Sequence, residues 1–203
     1  MRHVFIVGSK GIPAQYGGYE TFVEMLTRNR VSSEISYHVA CAVDDDPEEM
    51  TFTHNDADCF CIKRRPIGSA RAITYDLDAL DWCMSYVETN RIDAPIIYVL
   101  ACRIGPFIKR YVRRLHQYNG ALFVNPDGHE WLRAKWSVAV RHYWKFSESG
   151  MVKHADLLVC DSKGIESYIH KEYGRFNPKT TYIAYGADTQ HSQLGSNSPT
   201  FQG

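Results

Sequence analysis

The sequence predicts an α/β protein with a Rossmann-like, doubly wound parallel sheet. Short apolar runs alternate with longer stretches of helical periodicity along most of the 203 residues. Several of these runs are continuously apolar, which is typical of strands whose sheet is covered on both faces. Because helices separate the strands, right-handed crossovers should join them into a parallel sheet.

The elements follow in chain order from these patterns. The predicted strands are His3–Gly8, Ile35–Val43, Cys59–Lys63, Pro95–Ala101, Ala121–Asn125, Leu157–Cys160 and Thr181–Ala184. The segments between them carry apolar residues at helical spacing, which predicts helices. These are Glu20–Arg30, Arg71–Asn90, Pro106–Gln117, Trp131–Lys153 and Lys163–Tyr173.

Residues 1–188 are predicted to form one Rossmann-like domain. A length of 203 residues lies between one and two domains of the usual size, about 150 residues each. After Asp188 the sequence becomes polar and loses its periodicity. Residues 189–203 are therefore interpreted as a linker or tail.

The composition excludes several classes of protein. The 23 basic residues balance the 23 acidic ones, which argues against a nucleic-acid binder. An apolar share of 44% excludes a disordered chain, and no apolar run approaches the ~18 residues of a membrane span. The first residues form a strand-like run and not a signal peptide, so a cytoplasmic protein is predicted. Its six cysteines contain no C-x-x-C pair and are interpreted as reduced core residues.

A glycine-rich loop leads from the first predicted strand to the first helix. It carries Gly17 and Gly18 just before the helix, where backbone N–H groups and the helix dipole favour an anion. Its spacing matches neither the G-x-G-x-x-G fingerprint nor a Walker A loop, which weakens a dinucleotide dehydrogenase and a P-loop kinase. A tight turn explains a Gly-Gly pair equally well.

A second loop follows the strand at Ala121–Asn125. Asp127 and Glu130 supply carboxylates there, and His129 supplies an imidazole, a side chain that often acts as an acid or base. Pro-Asp-Gly is also an ordinary turn sequence, but ligands in open parallel sheets bind at the carboxyl ends of the strands. That position favours a functional interpretation.

Charged segments supply two further candidates. The acidic run Asp44-Asp45-Asp46 could hold a divalent ion, but a solvated loop is the favoured interpretation, and no metal site is predicted. Two basic helical segments could meet an anionic membrane surface or phosphate groups, although a solvated back of a core helix explains the first equally well. The first places Lys109, Arg110, Arg113 and Arg114 on one face and Phe107, Ile108, Tyr111, Val112 and Leu115 on the other. The second mixes indoles and cations from Trp131 to Lys145.

These motifs together resemble the N-terminal domain of the bacterial rhamnosyltransferase-like family within the family-4 glycosyltransferases. The GT-B architecture of that family consists of two Rossmann-like domains. Two strings carry most of the resemblance: Gly8-Ser9-Lys10-Gly11-Ile12-Pro13-Ala14 with Tyr16-Gly17-Gly18-Tyr19-Glu20-Thr21-Phe22, and Asn125-Pro126-Asp127-Gly128 with Glu130-Trp131. Further matches are Lys135-Trp136, Ser147-Glu148, Ala155-Asp156, Asp161-Ser162 and Ile183-Ala184-Tyr185-Gly186-Ala187-Asp188.

The resemblance implies transfer of a sugar, often rhamnose from dTDP-rhamnose, to a lipid-linked glycan during capsule or cell-wall polysaccharide synthesis. In that plan the N-terminal domain recognises the acceptor, and a C-terminal domain binds the nucleotide-sugar donor. The expected location is the cytoplasm, with peripheral attachment at the inner face of the cell membrane. The donor is a substrate, so no cofactor is expected. Related enzymes retain the anomeric configuration, commonly without a metal-bound donor.

The resemblance also implies roles for individual residues. Gly17 and Gly18 would approach the donor diphosphate, and Glu20 would brace the helix start or contact substrate. Asp127 would lie beside the reacting sugar as the catalytic carboxylate, orienting or deprotonating the acceptor hydroxyl. The candidate binding residues are Ser9, Lys10, Gly11, Gly17, Gly18, Glu20, Gly128, His129, Glu130 and Lys135.

Two departures from the family pattern limit these expectations. His129 stands where an apolar residue is expected in relatives, and no donor-binding motif follows Asp188. With the C-terminal donor domain missing, this chain alone is not expected to catalyse transfer. Two alternatives stay open: a non-catalytic module that holds a glycan or lipid acceptor, and a Rossmann oxidoreductase, which the missing fingerprint weakens.

Overall fold

The computed structural model describes residues 1–126, 129–132 and 136–186. Within these ranges the chain forms one sheet and five α-helices. The strands are β1 (Arg2–Val7), β2 (Ile35–Val43), β3 (Thr51–His54), β4 (Ala57–Lys63), β5 (Ile96–Leu100), β6 (Ala121–Asn125), β7 (Leu157–Cys160) and β8 (Thr180–Tyr182). The helices are α1 (Gly18–Arg28), α2 (Arg71–Asn90), α3 (Gly105–His116), α4 (Val138–His154) and α5 (Lys163–Tyr173).

The eight described strands have the order β3-β4-β2-β1-β5-β6-β7-β8. All neighbours pair in parallel except β3 and β4. The chain winds from β1 towards β2 and β4, then crosses back over β1 and winds from β5 to β8. The predicted Rossmann-like, doubly wound sheet is therefore confirmed.

The direction of winding decides which face of the sheet each helix covers. Right-handed crossovers in opposite directions along a sheet place their helices on opposite faces. Buried side chains of α2, α3, α4 and α5 accordingly join one core with Phe5, Val7 and Val99. Val23 of α1 joins the other core, with Ile6. The sheet thus separates two hydrophobic layers, as its continuously apolar strands predict.

The antiparallel strand β3 is not predicted by the sequence pattern. It is four residues long and joins β4 through the two-residue turn Asn55-Asp56, whose φ angles are +50° and +56°. Paired positive φ angles are typical of the hairpin turn that matches the twist of the strands. The strand is short, and only one apolar residue, Phe52, lies within it.

The helix predicted over Trp131–Lys153 begins later in the structure than the sequence predicts. A short 3-10 turn occupies Glu130–Leu132, and α4 begins only at Val138. The Ser137 hydroxyl accepts a hydrogen bond from the Val140 N–H at 3.5 Å. A serine cap of this kind satisfies a free N–H of the first turn, so it favours a helix start at this point.

The cysteines occupy the environment that the sequence predicts. All six cysteines are free and buried, as predicted for reduced core residues. Cys59 and Cys61 alternate along β4 and both face the α1 side of the sheet. No helix in the described part of the chain is both long enough and apolar enough to cross a membrane.

Candidate functional site

The candidate site lies where the sheet reverses its winding, between β1 and β5. Ligands of open α/β sheets bind in the crevice at such a switch point. Gly8 follows β1 with a φ of +97°, and a Cβ atom there would lie 2.2 Å from the Leu100 carbonyl oxygen. Ala101 follows β5 with a φ of +88°. Non-glycine residues rarely adopt such backbone, and strain of this kind tends to occur at functional sites.

The glycine loop is held to the rest of the domain at several points. The Ser9 hydroxyl accepts a hydrogen bond from the Gly11 N–H at 3.2 Å, and the Lys10 carbonyl accepts one from the Ala42 N–H at 2.9 Å. The Glu20 carboxylate accepts a bond from the Lys10 N–H at 2.7 Å. Glu20 is buried, so this side chain braces the loop from the first turn of α1.

Three glycines of this loop are required by its packing, whereas a fourth is not. A Cβ atom at Gly11 would lie 2.5 Å from the Cys41 sulfur, and one at Gly17 would lie 1.9 Å from the Glu20 carboxylate. Gly8, Gly11 and Gly17 all have positive φ angles. Gly18 is exposed, with no atom within 4 Å of its Cβ position. Its lack of a side chain therefore leaves open space at the start of α1.

Glu24, one turn further along α1, anchors the outer part of the loop. Its carboxylate accepts hydrogen bonds from the Ala14 N–H at 3.1 Å and the Asn55 amide at 2.8 Å, and it lies 2.9 Å from the His54 ring nitrogen. Burial alone would raise the pKa of Glu24, but these hydrogen bonds lower it to about 2. The carboxylate is thus ionised at physiological pH and ties the loop to the β3–β4 hairpin.

Arg103, which the sequence analysis missed, contacts both strands of the switch point. Its guanidinium donates to the carbonyl oxygens of Gly8 and of Leu100, the latter at 3.3 Å. Its Nε lies 2.9 Å from the carboxylate of Asp76 on α2. The Tyr143 hydroxyl donates to the Arg103 carbonyl at 2.8 Å. The only sign of this role in the sequence is that Arg103 closely follows a strand, at the edge of the sheet where ligands bind.

The pair of Asp76 and Arg103 is an ion pair beneath the site. Asp76 is fully buried, and Arg103 is partly exposed. Burial raises the pKa of Asp76 to about 6, although the neighbouring guanidinium of Arg103 lowers it. Arg103 thus stabilises the ionised form of a carboxyl group that the surrounding apolar core disfavours.

The second predicted loop is described only in part. Asp127, Gly128 and Lys135 lie outside the described residues. The ring of His129 lies 4.1 Å from the ring of Tyr168, measured between centroids, and the carboxylate of Glu130 accepts a bond from the Trp136 indole at 2.9 Å. Both side chains follow β6 at the ligand edge, as predicted from the sequence.

The acidic run Asp44-Asp45-Asp46 follows β2 and takes part in surface ion pairs. Asp44 pairs with Arg64 and Arg71, and Asp46 pairs with Lys63 at 2.7 Å. Exposed pairs of this kind contribute little to stability. Within the described ranges, no three His, Cys, Asp or Glu side chains are grouped so that they could hold a metal ion.

The basic helix α3 differs in one respect from its predicted faces. Ile108, Tyr111, Val112 and Leu115 are buried, but Phe107 is 39% exposed. Since Phe107 lies one residue beyond the buried stripe, it joins the solvent side of the helix. Lys109 and Arg113 are exposed on the other flank of the buried stripe, about 160° and 120° around the helix from Phe107. Together with Lys153 of α4 they lie near His154, whose pKa is lowered by burial and by these three charges.

The arrangement can bind an anion. The start of α1 brings N–H groups and the positive end of the helix dipole to the ligand edge. Lys10 is exposed beside it, and its ammonium has no hydrogen bond or ion pair within the described ranges. Because the loop backbone is held by Glu20 and Arg103, these donors are already in place before a ligand binds.

Residues 1–188 match a protein family described as "Domain of unknown function (DUF1972)". The chain belongs to the DUF1972 family. No curated protein matches the sequence at a significant level.

Solved structures show what the fold of this DUF1972 domain is similar to. Sucrose-phosphate synthase from Thermosynechococcus elongatus matches 92% of the chain with a TM-score of 0.70 and 15% identity. A second, shorter structure of that synthase matches 93% of the chain and 91% of its own length, with a TM-score of 0.60 and 14% identity. The chain spans 48% of the first synthase structure. The DUF1972 domain thus has a Rossmann-like fold, as the sequence predicts, and this fold is similar to that of about half of the synthase.

Proposed function

We propose that this chain is the acceptor-side half of a glycosyltransferase that transfers a sugar, rhamnose first among the candidates, from a nucleotide-sugar to a lipid-linked glycan. The observation that carries the proposal is the braced glycine loop at the switch point of a glycosyltransferase-like fold. Gly18 leaves open space where the start of α1 and Lys10 meet. A diphosphate fits that position because N–H donors and a cation stabilise the negative charge that develops on it as the bond between the sugar and the diphosphate of the donor breaks.

The donor nucleotide is assigned to a second Rossmann-like domain, which faces this loop across a cleft. Support comes from the synthase above, of whose length this chain spans 48%. Sucrose-phosphate synthase is named for making a sugar phosphate, so a sugar-transferring enzyme has this fold in one of its halves. In such a complex Gly17 and Gly18 contact the donor diphosphate, and Asp127 orients the acceptor hydroxyl and stabilises the oxocarbenium-like transition state.

Turnover with a panel of nucleotide-sugars tests this proposal. The protein is assayed together with the donor-binding domain, with dTDP-rhamnose, UDP-glucose and GDP-mannose as donors and a lipid-linked glycan as acceptor. We expect transfer from dTDP-rhamnose with retention of the anomeric configuration. Binding of the acceptor without transfer from any donor would favour the non-catalytic acceptor-binding module.

Asp127→Asn is expected to lower the turnover by about 100-fold, the usual contribution of a positioned general base. The variant keeps the size and the hydrogen-bonding shape of the side chain but removes the charge and the basicity. Single-turnover transfer is the measurement, and thermal unfolding shows whether the fold is preserved. Wild-type turnover by this variant would refute the proposed role of Asp127.

A peripheral contact with the inner membrane surface is part of the same proposal. We call Lys109, Arg113 and Lys153 the basic surface. A group of exposed cations is attracted to the anionic headgroups of a membrane surface. It would bring the site to the lipid-linked acceptor, even though the net charge of the chain is zero.

Lys109→Gln combined with Arg113→Gln is expected to weaken binding to phosphatidylglycerol vesicles by about 2 kcal/mol, or roughly 30-fold. Vesicle sedimentation measures this binding, which should also weaken as salt is added. Vesicles of phosphatidylcholine alone serve as the control and should bind poorly. Equal binding to both kinds of vesicle would contradict the electrostatic contact.

A further inference from the structure

A cavity of about 340 Å³ lies beside the segment that follows β6. It is lined by Trp131, Val138, Arg141, His142 and Lys145. Small-molecule sites usually measure about 300 to 1,000 Å³, so this cavity is large enough for a ligand group. Its lining combines an indole and an aliphatic side chain with three basic residues.

The cavity faces the same edge of the sheet as the glycine loop. Four of the residues that line the cavity belong to α4 and share one face of that helix, because they recur at helical spacing. On an adjacent face of α4, Tyr143 donates its hydroxyl to the Arg103 carbonyl at 2.8 Å, and Arg103 in turn donates to the Gly8 carbonyl. A short series of contacts therefore connects the wall of the cavity to the switch point.

Arg141 is oriented for an anionic ligand. Its Nε donates to the Trp131 carbonyl at 3.1 Å. This bond fixes the plane of the guanidinium, and within the described residues its two terminal nitrogens have no acceptor. A planar pair of N–H donors matches two oxygens of a phosphate group. His142 is exposed one residue further along the same helix face.

Lys145 and its neighbours make the inner wall rigid. The Lys145 ammonium lies 2.8 Å from the Glu172 carboxylate and 3.0 Å from the Tyr168 hydroxyl, and 4.6 Å from the centre of the Trp131 ring. Partial burial lowers the pKa of Lys145, but these partners raise it above its usual value. Since Glu172 already balances its charge, Lys145 holds the indole in place, and Arg141 and His142 remain for the ligand.

Apolar surface continues from Arg141 and His142. Val138 is 68% exposed at the start of α4, and Trp131 also lines the cavity. Exposed apolar groups next to cations fit a ligand that has an anionic head and an apolar chain.

We propose that this cavity binds a phosphate or diphosphate group attached to an apolar chain, with Arg141 and His142 on the anion and Trp131 and Val138 on the chain. That this ligand is the phosphate end of the lipid-linked acceptor rests on the proposed function. A phospholipid headgroup has the same chemistry, so the experiment separates the two sources.

Binding is measured on the 203-residue chain by calorimetry with pyrophosphate, geraniol and geranyl pyrophosphate. Geranyl pyrophosphate should bind more tightly than either of its parts. Arg141→Gln and His142→Gln should each weaken this binding about tenfold, the effect of losing one contact of about 1.4 kcal/mol. Val138→Ser should weaken the binding of geranyl pyrophosphate and leave that of pyrophosphate unchanged. The matched control is Arg2→Gln, which removes one exposed positive charge at the start of β1 and should have no effect.

Three results would overturn the proposal. The first is equal binding of geranyl pyrophosphate by the wild type and His142→Gln, a variant that removes no hydrogen bond of the described structure. The second is an equal loss in Arg2→Gln, which would show non-specific charge attraction. The third is a loss of binding to phosphatidylglycerol vesicles in Arg141→Gln with geranyl pyrophosphate unaffected, which would assign the cavity to a membrane headgroup. None of these measurements involves sugar transfer, so the turnover assay tests the proposed function separately.

Discussion

Gly8→Ala is expected to lower the free energy of unfolding by about 4 kcal/mol, through backbone strain and overpacking of about 2 kcal/mol each. The φ angle of Gly8 is +97°, a conformation that alanine rarely adopts. Its new Cβ atom would also lie 2.2 Å from the Leu100 carbonyl oxygen. That oxygen belongs to the backbone of a central strand, so the overlap can be relieved only by separating β1 from β5. Urea denaturation followed by circular dichroism measures the loss.

Gly18→Ala is the matched control for this prediction. The Cβ position at Gly18 has no atom within 4 Å, so the added methyl group meets no neighbour. Alanine also restricts the unfolded chain, and we expect a gain of about 0.5 kcal/mol. Equal stability of the Gly8→Ala protein and the wild type would contradict the geometry of the switch point.

The sequence was most informative where the signal is local. The strands β2, β6 and β7 have the bounds predicted from their apolar runs. The helices α2 and α5 also have their predicted bounds. The β3 strand was missed because its pairing with β4 depends on the turn at Asn55 and not on its own composition. The start of α4 was placed too early because Trp131 and Leu132 continue the apolar spacing before the cap at Ser137.

The candidate site could be predicted only in part for a similar reason. The glycine loop was found because Gly17 and Gly18 mark a turn before a helix. The bond of Glu20 to the Lys10 N–H spans ten residues, whereas the resemblance implies the start of α1 or the substrate as the contact of that carboxylate. Arg103 acts on Gly8, 95 residues earlier in the chain. No local pattern signals such a contact, because the order of the strands brings the two residues together.

Arg103→Met is expected to lower the free energy of unfolding by about 4 kcal/mol at pH 8, the usual cost of leaving a buried charge without its partner. The variant removes the guanidinium that lies 2.9 Å from the buried Asp76 carboxylate and that donates to the Gly8 carbonyl. Arg113→Met is the matched control, since Arg113 is exposed on α3, and its effect should stay within about 0.5 kcal/mol.

The pH dependence distinguishes the ion pair from simple packing. Burial raises the pKa of Asp76 to about 6 even with Arg103 present, and removing Arg103 raises that pKa further. A carboxyl group whose pKa is higher in the folded state than in the unfolded state makes the protein less stable as the pH rises between those two values. The free energy of unfolding of Arg103→Met should therefore fall between pH 5 and pH 8. This fall should be larger than the one in the wild type. Asp76→Asn in the same chain should abolish this additional pH dependence, because no carboxyl group remains to ionise. If the double variant keeps it, another group is responsible, and Arg103 acts on the switch point through its hydrogen bonds alone.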